Sequence, residues 1–366
     1  MPQFEGLTKK NFKPDWQGMV DNILRKGTPD RCYNIELFHD GPLRDAIIKM
    51  FDLEKGLDKN DPDFPRWRLL KFLRFVGFDY LYCGPVGQNW QFRAEGVNDT
   101  VGGDMSRGQR YYMDESRGPI TTWEEFENYS WPDPRAGELT SELEWWQEHL
   151  PDDMAIFCHE IGHYCEYLTW LMGYETLCIS LYDQRDLVEA IRDKLLEYYR
   201  VVLPRIAELD RVKVFFPSDD MGFRNGTFLA PDDMRHLFLA GHKELAKIAH
   251  DTHRPMILHA CGNLHGIMDD LIQDVKIDGK HSYEDTIEDV RELKSGYGQR
   301  IALLGGIDVD FLCRSDEQAI RRRVRETLDI CQPGGGYALG TGNTPANYIP
   351  VENYLAMVDE GRLYGG

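Results

Sequence analysis

The chain has 366 residues, 42% hydrophobic and 28% charged, a globular composition long enough for one large barrel or two ordinary domains. Its formal net charge of −20 repels phosphate backbones and argues against nucleic acid as a partner. No apolar run approaches the ~20 residues that a membrane span needs, and the stretch from Met1 to Asp15 lacks the apolar core of a secretory signal.

In chain order, short apolar runs recur at residues 32–38, 78–83, 154–158, 212–216, 256–259, 275–279, 301–304 and 336–339. Each is near-continuously apolar and bounded by Gly, Pro or Asp, the pattern of strands buried on both faces. Amphipathic stretches separate them. Residues 186–209 place Leu187, Ile191, Leu195, Tyr198, Val202 and Ile206 at helical spacing. Residues 231–249 open with a proline and two aspartates, and residues 315–330 open with Ser-Asp-Glu and stop before Pro333-Gly334. Strands alternating with helices predict a single (β/α)8 TIM barrel over residues 1–366, an open doubly wound sheet being the alternative. Residues 88–146, rich in Gly, Asp, Tyr and Trp, interrupt the alternation. They are expected to form an insertion over the barrel mouth, with a small sheet, acting as a lid or substrate wall. The eight cysteines are scattered, with no CxxC pair, as expected for reduced thiols in a cytoplasm.

A parallel barrel gathers its chemistry where the strands end. Glu36 and His39 follow the first run, His159 and Glu160 the third, and Ser218, Asp219 and Asp220 the fourth. His259 and Cys261 end the fifth, Lys280 and His281 the sixth, Asp308 the seventh, and Thr341 and Asn343 the eighth. Asp and Asn at helix starts are ordinary caps, whereas His and Cys are poor ones. In His259-Ala260-Cys261, alternate residues of an extended chain point one way, and imidazole with thiolate suits zinc. A third ligand must come from another strand: His281 and Glu284 are the candidates, with Glu160 behind them.

Three other patterns weigh less. His159-Glu160-Ile161-Gly162-His163 matches HExxH. Its first histidine directly follows a strand, so a metalloprotease is disfavoured and His163 is expected to be an ordinary helix residue. Asp251-Thr252-His253 opens a cobalamin-binding DxHxxG pattern, but Met256 stands where glycine belongs. Gly334-Gly335-Gly336 and Gly340-Thr341-Gly342 flank the last run, where turning is their commoner role and phosphate binding the rarer.

From Phe216 onward the chain resembles the uroporphyrinogen decarboxylase superfamily. The resemblance rests on Pro217-Ser218-Asp219-Asp220-Met221-Gly222, His259-Ala260-Cys261-Gly262-Asn263, Leu304-Gly305-Gly306-Ile307-Asp308-Val309, Pro333-Gly334-Gly335-Gly336-Tyr337 and Ile349-Pro350-Val351-Glu352-Asn353-Tyr354. It implies a (β/α)8 barrel and either of two chemistries, decarboxylation or corrinoid-linked methyl transfer; barrels of the superfamily often pair as homodimers. The decarboxylases carry an arginine-rich motif after the first strand. Here Asn34-Ile35-Glu36-Leu37-Phe38-His39-Asp40 has no arginine and two acids, which would repel an anionic porphyrinogen. The thiol-methylating members hold zinc with a His-x-Cys pair, matched by His259 and Cys261, and with a late cysteine, for which this chain has Asn343.

The resemblance therefore points to a branch that takes a methyl group from a small methoxylated aromatic donor and passes it to the cobalamin of a separate corrinoid protein. Zinc on His259, Cys261 and Glu284 would activate the leaving oxygen, or else Asp219, Asp220 or His281 would protonate it. Glu36, His39, Glu160, Lys280 and Asn343 would orient the substrate, and aromatic residues of 88–146 would cover its ring. Two alternatives stay open: transfer from a methyl-corrinoid protein to a zinc-bound thiol, and a non-catalytic barrel that binds a corrinoid protein or tetrapyrrole.

Overall fold

The computed structural model describes residues 4–98 and 109–364. Seven short parallel strands organise it: β1 (Tyr80–Cys83), β2 (Ala155–Cys158), β3 (Val212–Phe215), β4 (Ile257–His259), β5 (Gly279–His281), β6 (Ala302–Leu304) and β7 (Tyr337–Ala338). One ladder runs β1-β2-β3 and another β4-β5-β6-β7, every pair parallel. A parallel bridge from Phe215 to Met256 joins the two ladders, and a second, from Asn34 to Leu339, adds the first apolar run beside β7.

Between that first run and β1, side chains stand in for the ladder. The Tyr80 hydroxyl donates to the Glu36 carbonyl at 2.6 Å and accepts from the Glu36 N–H at 2.8 Å. Asn34 Nδ2 donates to the carbonyls of Val76 and Gly77. Buried backbone groups must find partners, and here a phenol and an amide supply them where no backbone bridge does among the described residues. The architecture is α/β, with a backbone ladder left open at this one seam.

The strands are four residues or fewer, and nearly every position is buried, in line with their unbroken apolar pattern. Tyr80 stacks on Phe157 at 4.1 Å in their midst. Helices pack outside. Those that bear on the site are α1 (Tyr164–Met172), α2 (Tyr174–Asp183), α3 (Arg185–Ala207), α4 (Ala240–Asp251), α5 (Glu317–Cys331) and α6 (Val351–Leu363). The helical stretch expected at 231–249 is found, running without interruption from Pro231 to Asp251 with a π turn at Arg235–Leu239 between Pro231–Met234 and α4. Asp316, not Ser315, caps α5, its carboxylate accepting from Ala319 N–H. Among the described residues no helix is long and apolar enough to cross a membrane.

The sixth apolar run is misplaced by the sequence pattern. Leu271–Val275 is a π turn, Lys276 adopts left-handed φ 67°, and the strand begins only at Gly279. Val275 and Ile277 are buried, but by the turn. The true strand carries Lys280 and His281 inside the protein, so its sequence does not look apolar.

The interrupting segment contains an antiparallel pair, Ala94–Asn98 with Gln109–Met113, and two helices, Trp123–Asn128 and Ser141–His149. It is anchored by aromatic contacts: Trp90 meets Tyr167 of α1 and Tyr198 of α3, and Phe92 meets Tyr167 and Trp170.

Candidate metal centre and aromatic cavity

The ends of β3 and β4 bring three donors together. Asp220, His259 and Cys261 each offer a ligand atom within 4.8 Å of the other two. Parallel pairing sets this up. Ser218 bridges His259, and the Asp219 N–H donates to the His259 carbonyl, which holds the β3 extension beside the β4 end. The Cys261 N–H donates to Asp220 Oδ1 at 2.9 Å. Gly262 then turns the chain away with φ 90°, its Cα pressed against Gly222, where a Cβ would come 2.1 Å from a carbonyl oxygen.

The donor spacing comes within a few tenths of an ångström of what a tetrahedral ion needs. His259 Nε2 lies 3.5 Å from Cys261 Sγ and 3.7 Å from Asp220 Oδ1. Bonds of zinc length would set neighbouring donors roughly 3.4–3.6 Å apart. Sulfur, nitrogen and carboxylate oxygen together form a donor set that zinc accepts. His259 is already in the state a ligand needs, because burial pushes its pKa down to about 4 and leaves the ring neutral at pH 7.

Behind this trio stands a supporting layer. His259 Nδ1 meets His281 Nδ1 at 2.7 Å, so one hydrogen is shared between two rings. With Nε2 turned to the ligand position, the hydrogen belongs on His259 Nδ1 and His281 accepts it, which fixes ring and tautomer. His281 is buried, and its Nε2 has no partner. Asn343 Nδ2 donates to Cys261 Sγ at 3.1 Å, and Ser282 Oγ lies 3.4 Å from the same sulfur. Burial and the nearby Asp220 carboxylate hold the Cys261 thiol well above its ordinary pKa when no cation is present. Lys280 is buried, and that burial lowers its pKa to about 8, with Glu288 and Cys261 acting against the fall.

Several sequence candidates lie elsewhere. Glu284 is outside the donor trio and comes no closer than a 3.5 Å contact with Asn343, so Asp220 takes the place expected for it. Asp219 diverges from Asp220. Its carboxylate accepts from the N–H groups of Cys165 and Glu166 at the start of α1 and from His242 Nε2 at 2.8 Å, which makes it a buried helix anchor. Glu36 is buried and clamps Thr341, accepting from its N–H and hydroxyl. Burial raises the pKa of Glu36 well above the carboxylate range, although both Thr341 donors oppose the shift. His39 is also buried, bonded to Tyr354 and edge-packed on Phe72 and Phe78, with its pKa pushed down to about 3. Lys280 Nζ donates to the Ser282 carbonyl at 2.6 Å, so Glu36, His39 and Lys280 each have a partner within the protein.

The HExxH stretch forms no helix up to His163, which precedes α1. His163 is not an ordinary helix residue. It is buried between two acids, Nδ1 at 2.7 Å from Glu166 and Nε2 at 3.6 Å from Glu160, and stacks on Tyr167. Burial opposes its charge, but the two carboxylates prevail and raise its pKa to about 10. Burial also opposes ionisation of Glu160, yet His159 and His163 hold its carboxyl below the usual range. A pKa raised above the unfolded value contributes stability that is complete below ~6.5 and fades as the pH climbs to the folded value. His163→Asn is therefore expected to lower the melting temperature more at pH 6.5 than near pH 10; an equal drop at both would contradict a charged imidazole here.

Asp220 also lines a cavity of about 390 Å³ whose wall includes Glu166, Trp170, Tyr174, Phe223 and Phe228. Tyr174 packs edge-on against Phe223 and Phe228, which belong to or directly follow the two-residue strands Gly222–Phe223 and Gly226–Thr227 of a tight hairpin. From the interrupting segment come Tyr112, Met113, Asp114 and Glu115. The lining thus carries four acids and no cation. Sequence reasoning stopped at the strand ends and missed Glu166 and Trp170 on α1 and Tyr174 at the start of α2. The aromatic pair Phe223 and Phe228 around a Gly-bearing turn was the available signal.

The family profile described as uroporphyrinogen decarboxylase (URO-D) matches residues 113–364. Among solved structures, a methyltransferase from Methanosarcina mazei is similar, with a TM-score of 0.64 and 17% identity over 97% of this chain and 100% of that one. A chain assigned as a vitamin-B12 independent methionine synthase from Listeria monocytogenes gives a TM-score of 0.45 at 13% identity, covering 96% of this chain and 97% of that one. No curated protein matches in sequence.

Proposed function

Because the chain belongs to the uroporphyrinogen decarboxylase (URO-D) family, we propose that it is a corrinoid-linked methyltransferase built on a (β/α)8 barrel. It takes the methyl group of a small methoxylated aromatic compound and delivers it to the cobalt of a separate corrinoid protein. The observation that carries this proposal is the double membership of Asp220: it is one of three converging ligand atoms and also part of the wall of an aromatic cavity.

An aryl ether holds its methyl group until the oxygen is protonated or bound by a Lewis acid. Zinc held by Asp220, His259 and Cys261 would supply that Lewis acid. The protein's own groups do the rest. Trp170, Phe223 and Phe228 offer ring faces and edges to an aromatic donor. Glu166 in the cavity wall and His163 behind it hold a proton across a 2.7 Å contact. His281 keeps His259 Nε2 aimed at the ligand position, and Asn343 donates to the Cys261 sulfur. The four acids of the wall disfavour anionic donors, porphyrinogens included. The described parts of residues 88–146, to which 99–108 do not belong, act as the lid, with Tyr112 on the cavity side.

The test mixes the protein with reduced corrinoid protein and a panel of methoxyarenes, and follows the loss of cob(I)alamin absorbance. Loss with at least one neutral methoxyarene is expected; no methylated cobalt with any donor, beside a competent partner, overturns the proposal. Trp170→Ala is expected to raise KM for the active donor roughly tenfold with a smaller change in kcat, since ring stacking is binding shared by ground and transition states.

A further inference from the structure

At the opposite end of the strands, where the first apolar run begins and α6 ends, lies a cavity of about 330 Å³. Lys10, Lys13, Arg31 and Arg362 all line it, and no acid does. In a chain of net charge −20 such a gathering is unexpected. Most arginines of this protein are engaged by carboxylates, and Arg31 is too, through buried Asp79. Arg362 has only the Phe75 carbonyl as a hydrogen-bond acceptor, Lys10 bonds the Arg362 carbonyl, and Lys13 is exposed; none of these three has an ion pair among the described residues.

Two further features point to a ligand. The guanidinium groups of Arg31 and Arg362 both lie against the Phe12 ring, 5.1 and 4.6 Å from its centroid. Two like charges share one aromatic platform, and burial together with Arg31 pulls the Arg362 pKa down to about 10. Arg31 is offset by Asp79 on one side, and an anion beside Arg362 would relieve what remains of that repulsion. In the cavity wall, Asn34 is 4% exposed; its Nδ2 is spent on backbone carbonyls, while its Oδ1 has no partner among the described residues. An unpartnered buried acceptor calls for a donor from outside. The position of Arg362 in the last turn of α6, where a cation complements the helix dipole, accounts for one of the four charges and not for the rest.

We propose that this cavity binds a small phosphorylated ligand: phosphate oxygens bridge Arg31 and Arg362 with Lys10 and Lys13 at the rim, and a ligand hydroxyl or N–H donates to Asn34 Oδ1. Paired guanidinium forks match phosphate geometry, and Phe12 and Tyr364 flank the space a base or sugar would occupy. The site is independent of the methyl-transfer proposal.

Isothermal titration of the full chain with pyrophosphate and with adenosine diphosphate, near physiological salt, tests it. Saturable binding of at least one probe is expected, weakened roughly tenfold or more by Lys13→Glu and by Arg362→Gln, given the loss or reversal of one charge within contact range. Lys13 is exposed and has no ion pair among the described residues, so Lys13→Glu should melt like the wild type and separates lost binding from lost folding. Tighter binding of the nucleotide identifies a base-bearing ligand, and equal binding an inorganic one; both support the site. No heat from either probe at millimolar concentration, or equal affinity in wild type and both variants, overturns it.

Discussion

Replacing Cys261 with alanine is expected to strip the protein of zinc and to stop methyl transfer. Cys261 is the only sulfur in the donor trio, and its position is fixed from four directions: Asp220 on its own N–H, then His259, Ser282 and Asn343 around Sγ. Among the described residues no other cysteine belongs to the trio, and Asn343 stands beside the Cys261 sulfur at 3.1 Å. Zinc after dialysis should fall from about one per chain to near zero, and turnover by roughly a thousandfold or more. His259→Ala should behave alike. His281→Ala should be graded, weakening zinc about 10–100-fold, because it removes only the group that orients a ligand. Equal zinc content in wild type, Cys261→Ala and His259→Ala would remove the metal from the account.

The second large effect concerns stability. Asp219→Ala is expected to destabilise the fold by about 3–5 kcal/mol, the usual cost of removing one partner from a buried charged network. The carboxylate is fully buried and serves the first N–H groups of α1 and the His242 ring, all of which would be left without an acceptor. A fall in melting temperature of several degrees should follow, while the protein that remains folded keeps its zinc. An unchanged melting temperature together with lost turnover would instead make Asp219 a catalytic acid. Denaturant titration and metal analysis of the same preparation separate the two.

The contrast between Asp219 and Asp220 shows where sequence reasoning stops. Both follow the same strand, and their spacing placed both at one rim. Which carboxylate turns toward His259 depends on α1 and α4 packing behind β3, and no local pattern records that. The His259-Ala260-Cys261 pair was legible because an extended chain repeats every two residues, so its geometry is local. The third donor of the trio was not, since it depends on which neighbouring strand end comes nearest. Glu284 and Asp220 look equivalent as residues, and the His259–Ser218 bridge decides for Asp220. In the fold, apolar runs marked most strands within a few residues. The exceptions have physical causes: β5 buries a lysine and a histidine, and the first run makes one bridge and leaves its other edge to Tyr80. The aromatic cavity escaped because its walls come from two helices, a hairpin and the inserted segment, each too far apart in sequence to share a pattern.

X-ray absorption at the zinc edge, on protein purified without chelator, probes the heart of the account: that strand ends distant in sequence supply one shared coordination sphere. One sulfur at about 2.3 Å with the remaining ligands nitrogen or oxygen near 2.0–2.1 Å, the sulfur vanishing in Cys261→Ala, is the expected outcome. A shell without sulfur, or one that survives that substitution unchanged, would contradict it.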